Sequence, residues 1–408
     1  MLVRTNRSMR TGFTLIELLV VISVMGVLMA ILLPALSAVR ESANRLDCQN
    51  RMKQMGVATI AYQASQGFFP VGKPWPDVYN PLGRKVHSPP TTNYNWVRSS
   101  STPLKTNFFS VHVALLPYLE MQGIAEMMNY DTNRAIDLSD NPNETAYTMA
   151  AGSFLCPSDR AGRNVVGENC YRYNFGGSTP YSGWKSVRGL MVDLGGGTDP
   201  QKAEIVTLAP DFYANNFSVQ GNGAFTIRRG LTGVDFVDGL TNTAFFSERD
   251  RGSTEGRTEP AGKRPDRTVI VGRPQGEDMG NREIPPSPQE LFDRCQNFNP
   301  GINSNNFFSA GRWAFGSDYS NGWPFAAYTS TMYNHVAPPN WKAFDCGTTS
   351  SIPDVPGEHA IITARSSHSG VVNVCFGDGH VEAVSDSIDV GIWRAMGSRN
   401  GGETVRAE

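Results

Sequence analysis

The pattern of apolar and polar positions divides the chain into three parts. From Phe13 to Leu33 the sequence FTLIELLVVISVMGVLMAILL is apolar throughout, with a single charge at Glu17. As a helix rising 1.5 Å per residue it covers about 30 Å, the thickness of a bilayer hydrocarbon core, so the pattern predicts a membrane-spanning helix over 13–33. Beyond Pro34 the apolar positions thin out to Leu36, Val39, Ala43, Leu46, Met52, Met55 and Tyr62, which approximates helical spacing. One amphipathic helix therefore continues over 34–66, and its stripe must lie on the globular part of the chain or on a partner helix. Helix from Phe13 to Gln63 makes a rod of about 75 Å. The breakers in Gly67-Phe68-Phe69-Pro70-Val71-Gly72 end it.

From residue 73 the period shortens and turn residues multiply. Residues 73–106, rich in Pro, Ser, Thr and Asn, read as a surface excursion, and SVHVALLPYLEMQGI at 110–124 as a short buried segment with a helical turn. Apolar runs bounded by turn residues predict strands at Gly223–Ile227, Thr243–Ser247, Thr268–Val271, Val371–Phe376 and Val381–Val384. No internal repeat is visible. The expected fold is α+β: a long N-terminal helix packed on a largely antiparallel, loop-rich β domain. The boundaries are a leader at 1–12, a transmembrane helix at 13–33, a stalk helix at 34–66 and one β-rich domain at 67–408.

Composition supports this division and narrows the function. Of 408 residues, 40% are hydrophobic and 18% charged, which describes a chain that folds, while 41 glycines and 26 prolines favour many turns. A formal net charge of -2 provides no basic surface, so no nucleic-acid partner is expected. The six cysteines, Cys48, Cys156, Cys170, Cys295, Cys346 and Cys375, contain no Cys-x2-Cys pair, which argues against a zinc ribbon or a thioredoxin-type motif. Disulfides are admissible in an exported domain. Cys48, on the predicted stalk, is the candidate to remain unpaired.

Residues 1–12, MLVRTNRSMRTG, hold Arg4, Arg7 and Arg10 and no acidic residue. Only Arg40 and Arg45 follow the apolar run at comparable distance, so the positive-inside rule places the N-terminus in the cytoplasm. An ordinary secretory signal would be cut after a small-residue site, for which Leu33-Pro34-Ala35-Leu36-Ser37-Ala38 is a poor mimic. It would not explain Gly12-Phe13 before the apolar run, nor a glutamate four positions later. A carboxylate within a membrane helix costs roughly 2.5–3.5 kcal/mol at the bilayer centre, which makes Glu17 a functional candidate. A cut after Gly12 would give Phe13 a free amine one helical turn from that carboxylate.

Residues 10–22, Arg-Thr-Gly-Phe-Thr-Leu-Ile-Glu-Leu-Leu-Val-Val-Ile, resemble the signature of type IV prepilins and pseudopilins. The resemblance implies that an inner-membrane prepilin peptidase cleaves after Gly12 and methylates the amine of Phe13. It also implies that Glu17 pairs with a neighbouring subunit's N-terminus during assembly, and that Pro34 bends the helix, as an interior proline does.

Near the C-terminus, His368 to Val384 reads as two strands joined around Gly377-Asp378-Gly379, with Val372, Val374 and Phe376 on one buried face. Asp378 and Gly379 are suited to a tight turn. A metal or catalytic role for His368, Asp378 and His380 would require the strand pairing to bring them together. This His-x9-Asp-Gly arrangement, with CQNRMKQMGVA at 48–58, FLCPSD at 154–159, VDGLTNTAFFSE at 237–248 and APPN at 337–340, is similar to a large pilin-like family abundant in planctomycetes. Its globular region is a domain of unknown function. Many relatives have Asn-Tyr-His where this chain has Ala61-Tyr62-Gln63.

Enzymatic motifs are missing from the sequence. Gly176-Gly177 and Gly195-Gly196-Gly197 lack the Lys-Ser/Thr pair of a P-loop and the Rossmann spacing, and they read as turns. No Gly-x-Ser-x-Gly or His-Glu-x2-His occurs. Trp75, Tyr94, Trp96, Trp184, Trp313, Trp323 and Trp341 read as packing residues, with sugar stacking as the other use of such side chains. The expectation is a non-enzymatic, pilin-like or pseudopilin-like envelope subunit without a cofactor or metal. Its partners are prepilin peptidase, other pilin-like subunits and the inner membrane, with the globular domain extracytoplasmic. The alternatives are a membrane-tethered ligand- or glycan-binding module and a tethered envelope hydrolase.

Overall fold

The computed structural model describes residues 15–72, 109–130, 143–159, 169–180, 221–226, 230–251, 287–297, 322–324, 326, 328, 330–347 and 360–402. It also describes four short strands at 78–79, 85–86, 269–272 and 307–309. Gly12, Phe13, Trp75, Tyr94, Trp96, Trp184, Gly195-Gly196-Gly197 and Trp313 lie outside the described residues. Packing divides the chain into two compact units, 1–46 and 47–408.

A single helix, α1 (Leu15–Gln66), crosses that division with Pro34 inside it. Its residues from Leu15 to Leu33 expose their apolar side chains, as a lipid-facing helix does, and the exposure continues through Leu36 (62%), Val39 (66%) and Leu46 (61%). The predicted stripe therefore does not pack as one face. Only from Cys48 onward, with Met52, Met55, Gly56, Ala58 and Thr59, does one face become buried. Those positions recur at the three- and four-residue intervals that keep side chains on one side of a helix. Gly67, at φ +82°, closes the helix by donating its N–H to the Gln63 carbonyl.

The helices that follow are α2 (Val111–Leu115), α3 (Gln122–Met127), α4 (Glu144–Ala150), α5 (Pro288–Asn297) and α6 (Val390–Gly397). The segment 110–124 is thus helical, with a 3-10 turn at Leu116–Leu119 between α2 and α3. The strands are β1 (Val78–Tyr79), β2 (Lys85–Val86), β3 (Tyr171–Asn174), β4 (Ala244–Glu248), β5 (Val269–Gly272), β6 (Phe307–Ser309), β7 (Met332–Tyr333), β8 (Asp345–Gly347), β9 (Ala360–Ile361), β10 (Val371–Phe376) and β11 (Val381–Ser385).

The main sheet has the order β11-β10-β4-β3-β7, antiparallel except for the parallel β3–β7 pair, and a second sheet runs β6-β5-β8-β9. Antiparallel pairing predominates, as the α+β expectation required. Four of the five predicted strands are present. The fifth is not found among the described residues: 223–225 form a bend, although Phe225 N–H still donates to Asn174 O and Thr226 O accepts from Gly72 N–H, and Ile227 lies outside the described residues. The central strand β3 was not predicted, because YRYN carries an arginine and an asparagine into positions that are fully buried. Distant carbonyls receive both side chains: Arg172 Nη1 donates to Tyr328 and Met332, and Asn174 Nδ2 to Ala244 and Gly397.

The core is aromatic. Phe225 meets Phe245 and Phe246 at ring-centroid distances of 5.2 and 5.5 Å, and Phe154 meets Trp323 at 5.1 Å. Trp323 and Trp341 are buried packing residues, as expected of tryptophans in a large domain. Gly176 and Gly177 form a turn in which Gly177 adopts φ +65°.

Candidate functional site

The hairpin of β10 and β11 forms as the sequence predicts, in the register Val371↔Ser385 to Cys375↔Val381. It differs from the prediction in burial. Val372 and Val374 are buried, but so are Asn373 and Cys375 on the opposite face. Strand alternation sends these two toward α1, which covers that face. Gln49 Nε2 donates to Asn373 Oδ1 at 2.9 Å, and a Cβ added to Gly56 would stand 2.6 Å from Cys375 Sγ. Helix and strand thus lie along one another from Cys48 to Gly56, about 12 Å of helix.

The two ends of the His-x9-Asp-Gly motif occupy the two ends of this seam. His368 precedes β10 and Asp378 follows it, with five residue steps of strand, about 17 Å, in between. They do not converge: the strand pairing does not bring His368 together with Asp378 and His380, which a joint role would have required. At the far end Asp378 and Gly379 make the turn. Asp378 Oδ1 accepts from the backbone N–H of His380 at 3.0 Å and from its ring Nδ1 at 2.6 Å. Partial burial pulls the Asp378 carboxyl upward, but these two bonds, the His380 charge and Lys53 outweigh it and hold the group below its usual range. Gly379, at φ +81°, brings its Cα so close to α1 that a Cβ on Gly56 would lie 3.0 Å from it. Glycine is required on both sides, in the turn for its backbone angle and in the helix for the close approach.

At the near end His368 is buried, with its Nε2 facing Glu248 Oε1 at 3.4 Å and Cys156 Sγ at 3.7 Å. Cys156 is bonded to Cys48 of α1 across a Cα–Cα distance of 5.5 Å. The expectation of an unpaired Cys48 is therefore overturned: the helix turns Cys48 into the domain, where the 154–159 loop meets it. Arg51, one turn further along, fixes the same loop by donating from Nη1 to the carbonyls of Gly152 (2.6 Å) and Leu155 (3.1 Å). Cys295 is also disulfide-bonded, whereas Cys170 and Cys375 are free and buried. Burial pushes the Cys375 thiol up to about 12.

Glu248, at the end of β4, ties these parts together. Its Oε2 accepts from Ser366 Oγ (2.7 Å) and Asn373 N–H (3.1 Å), and its Oε1 accepts from Asn373 Nδ2 (2.8 Å). Asn340, in a left-handed conformation at φ +52°, holds the loop that carries His368. Its Oδ1 accepts from Ser366 N–H at 2.9 Å. The four sequence fragments that accompany the C-terminal motif thus contribute Cys48 and Gly56, Cys156, Glu248 and Asn340 to one location. Glu248 and the Cys48–Cys156 pair carried no individual signal in the sequence. Their only trace there was membership of these fragments.

Behind this site lies a second buried polar group. Asp345 pairs with Arg249 and, at 3.0 Å, with Arg365. Arg251 Nε meets Asp159 at 2.8 Å. Burial lowers the Arg249 guanidinium, against the pull of Asp345. These are paired internal charges in which each cation has a carboxylate beside it, an arrangement that fixes loop positions.

Comparison with known proteins agrees with the sequence. Residues 7–33 match the model of the prokaryotic N-terminal methylation motif, and residues 37–391 match a model described as a protein of unknown function, DUF1559. No curated protein and no solved structure matches significantly. The methylation motif makes the chain a pilin-like protein processed by prepilin peptidase and anchored through its N-terminal apolar helix. With its match spanning most of the sequence and its conspicuous fragments gathered at one helix–strand seam, the chain belongs to the DUF1559 family of proteins of unknown function.

Proposed function

We propose that the protein is a non-enzymatic structural subunit of an envelope filament of the type IV pilus or type II secretion kind. Residues 15–46 pack among the same helices of neighbouring subunits, and Glu17 pairs with the methylated amine of a neighbour's Phe13. The N-terminus is cytoplasmic and the globular unit extracytoplasmic. The observation that carries this reading is the apolar exposure beyond the membrane length of α1. Leu36, Val39 and Leu46 continue the exposed surface past Leu33. A lone anchor has no use for apolar side chains there, whereas a bundle of subunit helices would cover them. Glu17 in the first turn of α1 supports the same reading, because a carboxylate near the helix N-terminus is favoured by the helix dipole and complements an incoming amine.

Two measurements test it. Intact-mass and N-terminal peptide analysis of protein from native membranes should find a chain that begins at N-methylated Phe13. In Glu17→Ala the processed chain should still reach the membrane but lose subunit crosslinks through the N-terminal helix and disappear from sheared surface fractions. Unchanged crosslinking and shearing would overturn the filament reading in favour of a tethered binding module.

A further inference from the structure

We propose that Cys48, Cys156, Glu248 and His368 form a binding site for a zinc-class divalent cation when the Cys48–Cys156 disulfide is reduced, so that metal and disulfide are alternative staples of one seam. The inference stands apart from the filament reading, since it concerns residues of the globular unit alone. All four residues are buried, and one ligand atom from each lies within 4.8 Å of all the others. Zinc bonds of about 2.0–2.3 Å in a tetrahedron set ligand atoms roughly 3.5 Å apart. His368 Nε2 already stands 3.4 Å from Glu248 Oε1 and 3.7 Å from Cys156 Sγ.

The chemistry of the surroundings points the same way. A disulfide is uncharged and needs no polar company, yet this one is enclosed with a carboxylate and an imidazole, groups that are costly to bury without a purpose. Two sulfurs, one imidazole nitrogen and one carboxylate oxygen make a donor set suited to zinc. The Glu248 carboxylate is oriented from behind by Asn373 and Ser366, the kind of outer support that metal-binding carboxylates have. The four ligands come from α1, the 154–159 loop, β4 and the loop before β10, so a bound ion would pin the helix to the sheet as the disulfide does.

The exchange balances with a dithiol reductant. The dithiol gives two electrons and two protons to the Cys48–Cys156 bond and becomes a disulfide itself. The two thiols then lose their protons to solvent as Zn2+ binds the thiolates. An external disulfide reverses the sequence: it takes two electrons from the bound thiolates and two protons from solvent to become two thiols, the Cys48 and Cys156 sulfurs rejoin and Zn2+ leaves.

The test uses the full chain in detergent, reduced with a phosphine, freed of it without air, and titrated with Co2+ and then Zn2+. The reduced chain should take up one equivalent of Co2+ with thiolate-to-cobalt charge-transfer absorption, and Zn2+ should displace it. The oxidised chain should show no such band. Both His368→Ala and Glu248→Gln should weaken uptake tenfold or more, and double replacement of Cys48 and Cys156 by serine should abolish the band. Absence of the band in the reduced wild-type chain would overturn the proposal, as would its persistence in the double serine variant. Near-UV circular dichroism guards against misfolding: a reduced chain that loses its tertiary signal and does not regain it with Zn2+ also contradicts the proposal. If metal uptake fails while Glu17→Ala still abolishes assembly, the seam holds only a buried His–Glu pair beside a disulfide and the filament reading stands.

Discussion

The two ends of the His-x9-Asp-Gly motif look alike in sequence, each a polar residue beside a strand, but the structure uses them in opposite ways. At one end His368 is enclosed with Glu248 and the Cys48–Cys156 bond. At the other Asp378 and His380 stand half in solvent and shape a turn whose glycine meets the helix. The spacing of the motif is thus the length of one strand laid along two turns of helix. The difference teaches that the motif is a docking device: its polar residues serve burial at one end and turn geometry at the other, and both fasten the sheet to α1.

The contact between glycines should be the hardest to replace. Gly56→Val places a branched side chain where even a single Cβ lies 2.6 Å from Cys375 Sγ and 3.0 Å from Gly379 Cα, and should cost about 3 kcal/mol or more, read as a lowered melting temperature of the detergent-solubilised chain. Gly123→Ala is the control: no atom lies within 4 Å of its added Cβ and its helix should gain a few tenths of a kcal/mol. Equal effects of the two changes would remove the close approach from the account. Next in size is Glu248→Ala, which leaves the donors on Asn373 and Ser366 without their acceptor inside the protein. A loss of about 2–4 kcal/mol in denaturant unfolding is expected.

Acid should weaken the globular unit through histidines away from the motif. His112 donates from Nε2 to the Tyr171 carbonyl, and His335 donates from Nδ1 to the Trp393 carbonyl. Burial drives both down to about 3. Between there and the unfolded value near 6.5 the unfolded chain binds more protons, so each histidine withdraws stability as pH falls, by about 1.4 kcal/mol per pH unit. Asp250 acts in the opposite sense: burial first, then Asp159, raises its carboxyl to about 6, which favours the folded state as pH drops from 6 toward 4. The two histidines together outweigh Asp250, so unfolding midpoints should begin to fall near pH 6.5 and keep falling down to pH 4. In His112→Asn combined with His335→Asn only Asp250 remains of the three, so the profile should reverse and rise as pH drops from 6 toward 4; a profile that still falls as in the wild type would remove the two histidines as the source. The smallest effect is expected at the exposed end. Asp378→Ala removes only the acceptor for His380 and should cost about 0.5–1 kcal/mol by thermal melting, well below Glu248→Ala. A reversal of that order would show that the turn, and not the buried end, holds the seam.

Local pattern alone located α1, its end at Gly67, the β10–β11 hairpin and two further strands, β4 and β5, because each rests on a period or a breaker within a few residues. The processing signal was legible for the same reason: it lies within a single short segment, residues 7–33, that matches the methylation motif. The sequence did not reveal that β3 is a central strand, since Arg172 and Asn174 are polar and their burial depends on distant carbonyls. It also did not reveal which part of the α1 stripe is covered, because Leu46 and Met52 have the same apolar character and only packing separates 61% exposure from none.

What the sequence determined by itself is therefore an apolar N-terminal helix with a processing signal, a β-rich remainder and the turn at Asp378-Gly379, all set by interactions between near neighbours in the chain. What only the tertiary structure decided is the pairing of Cys48 with Cys156, the gathering of Glu248 and His368 beside them, and the contact of Gly56 with Gly379. Those residues lie as much as 323 positions apart for Gly56 and Gly379. No periodicity links positions so distant. Their meeting is fixed when β10, β4 and the 154–159 loop close over one face of a helix.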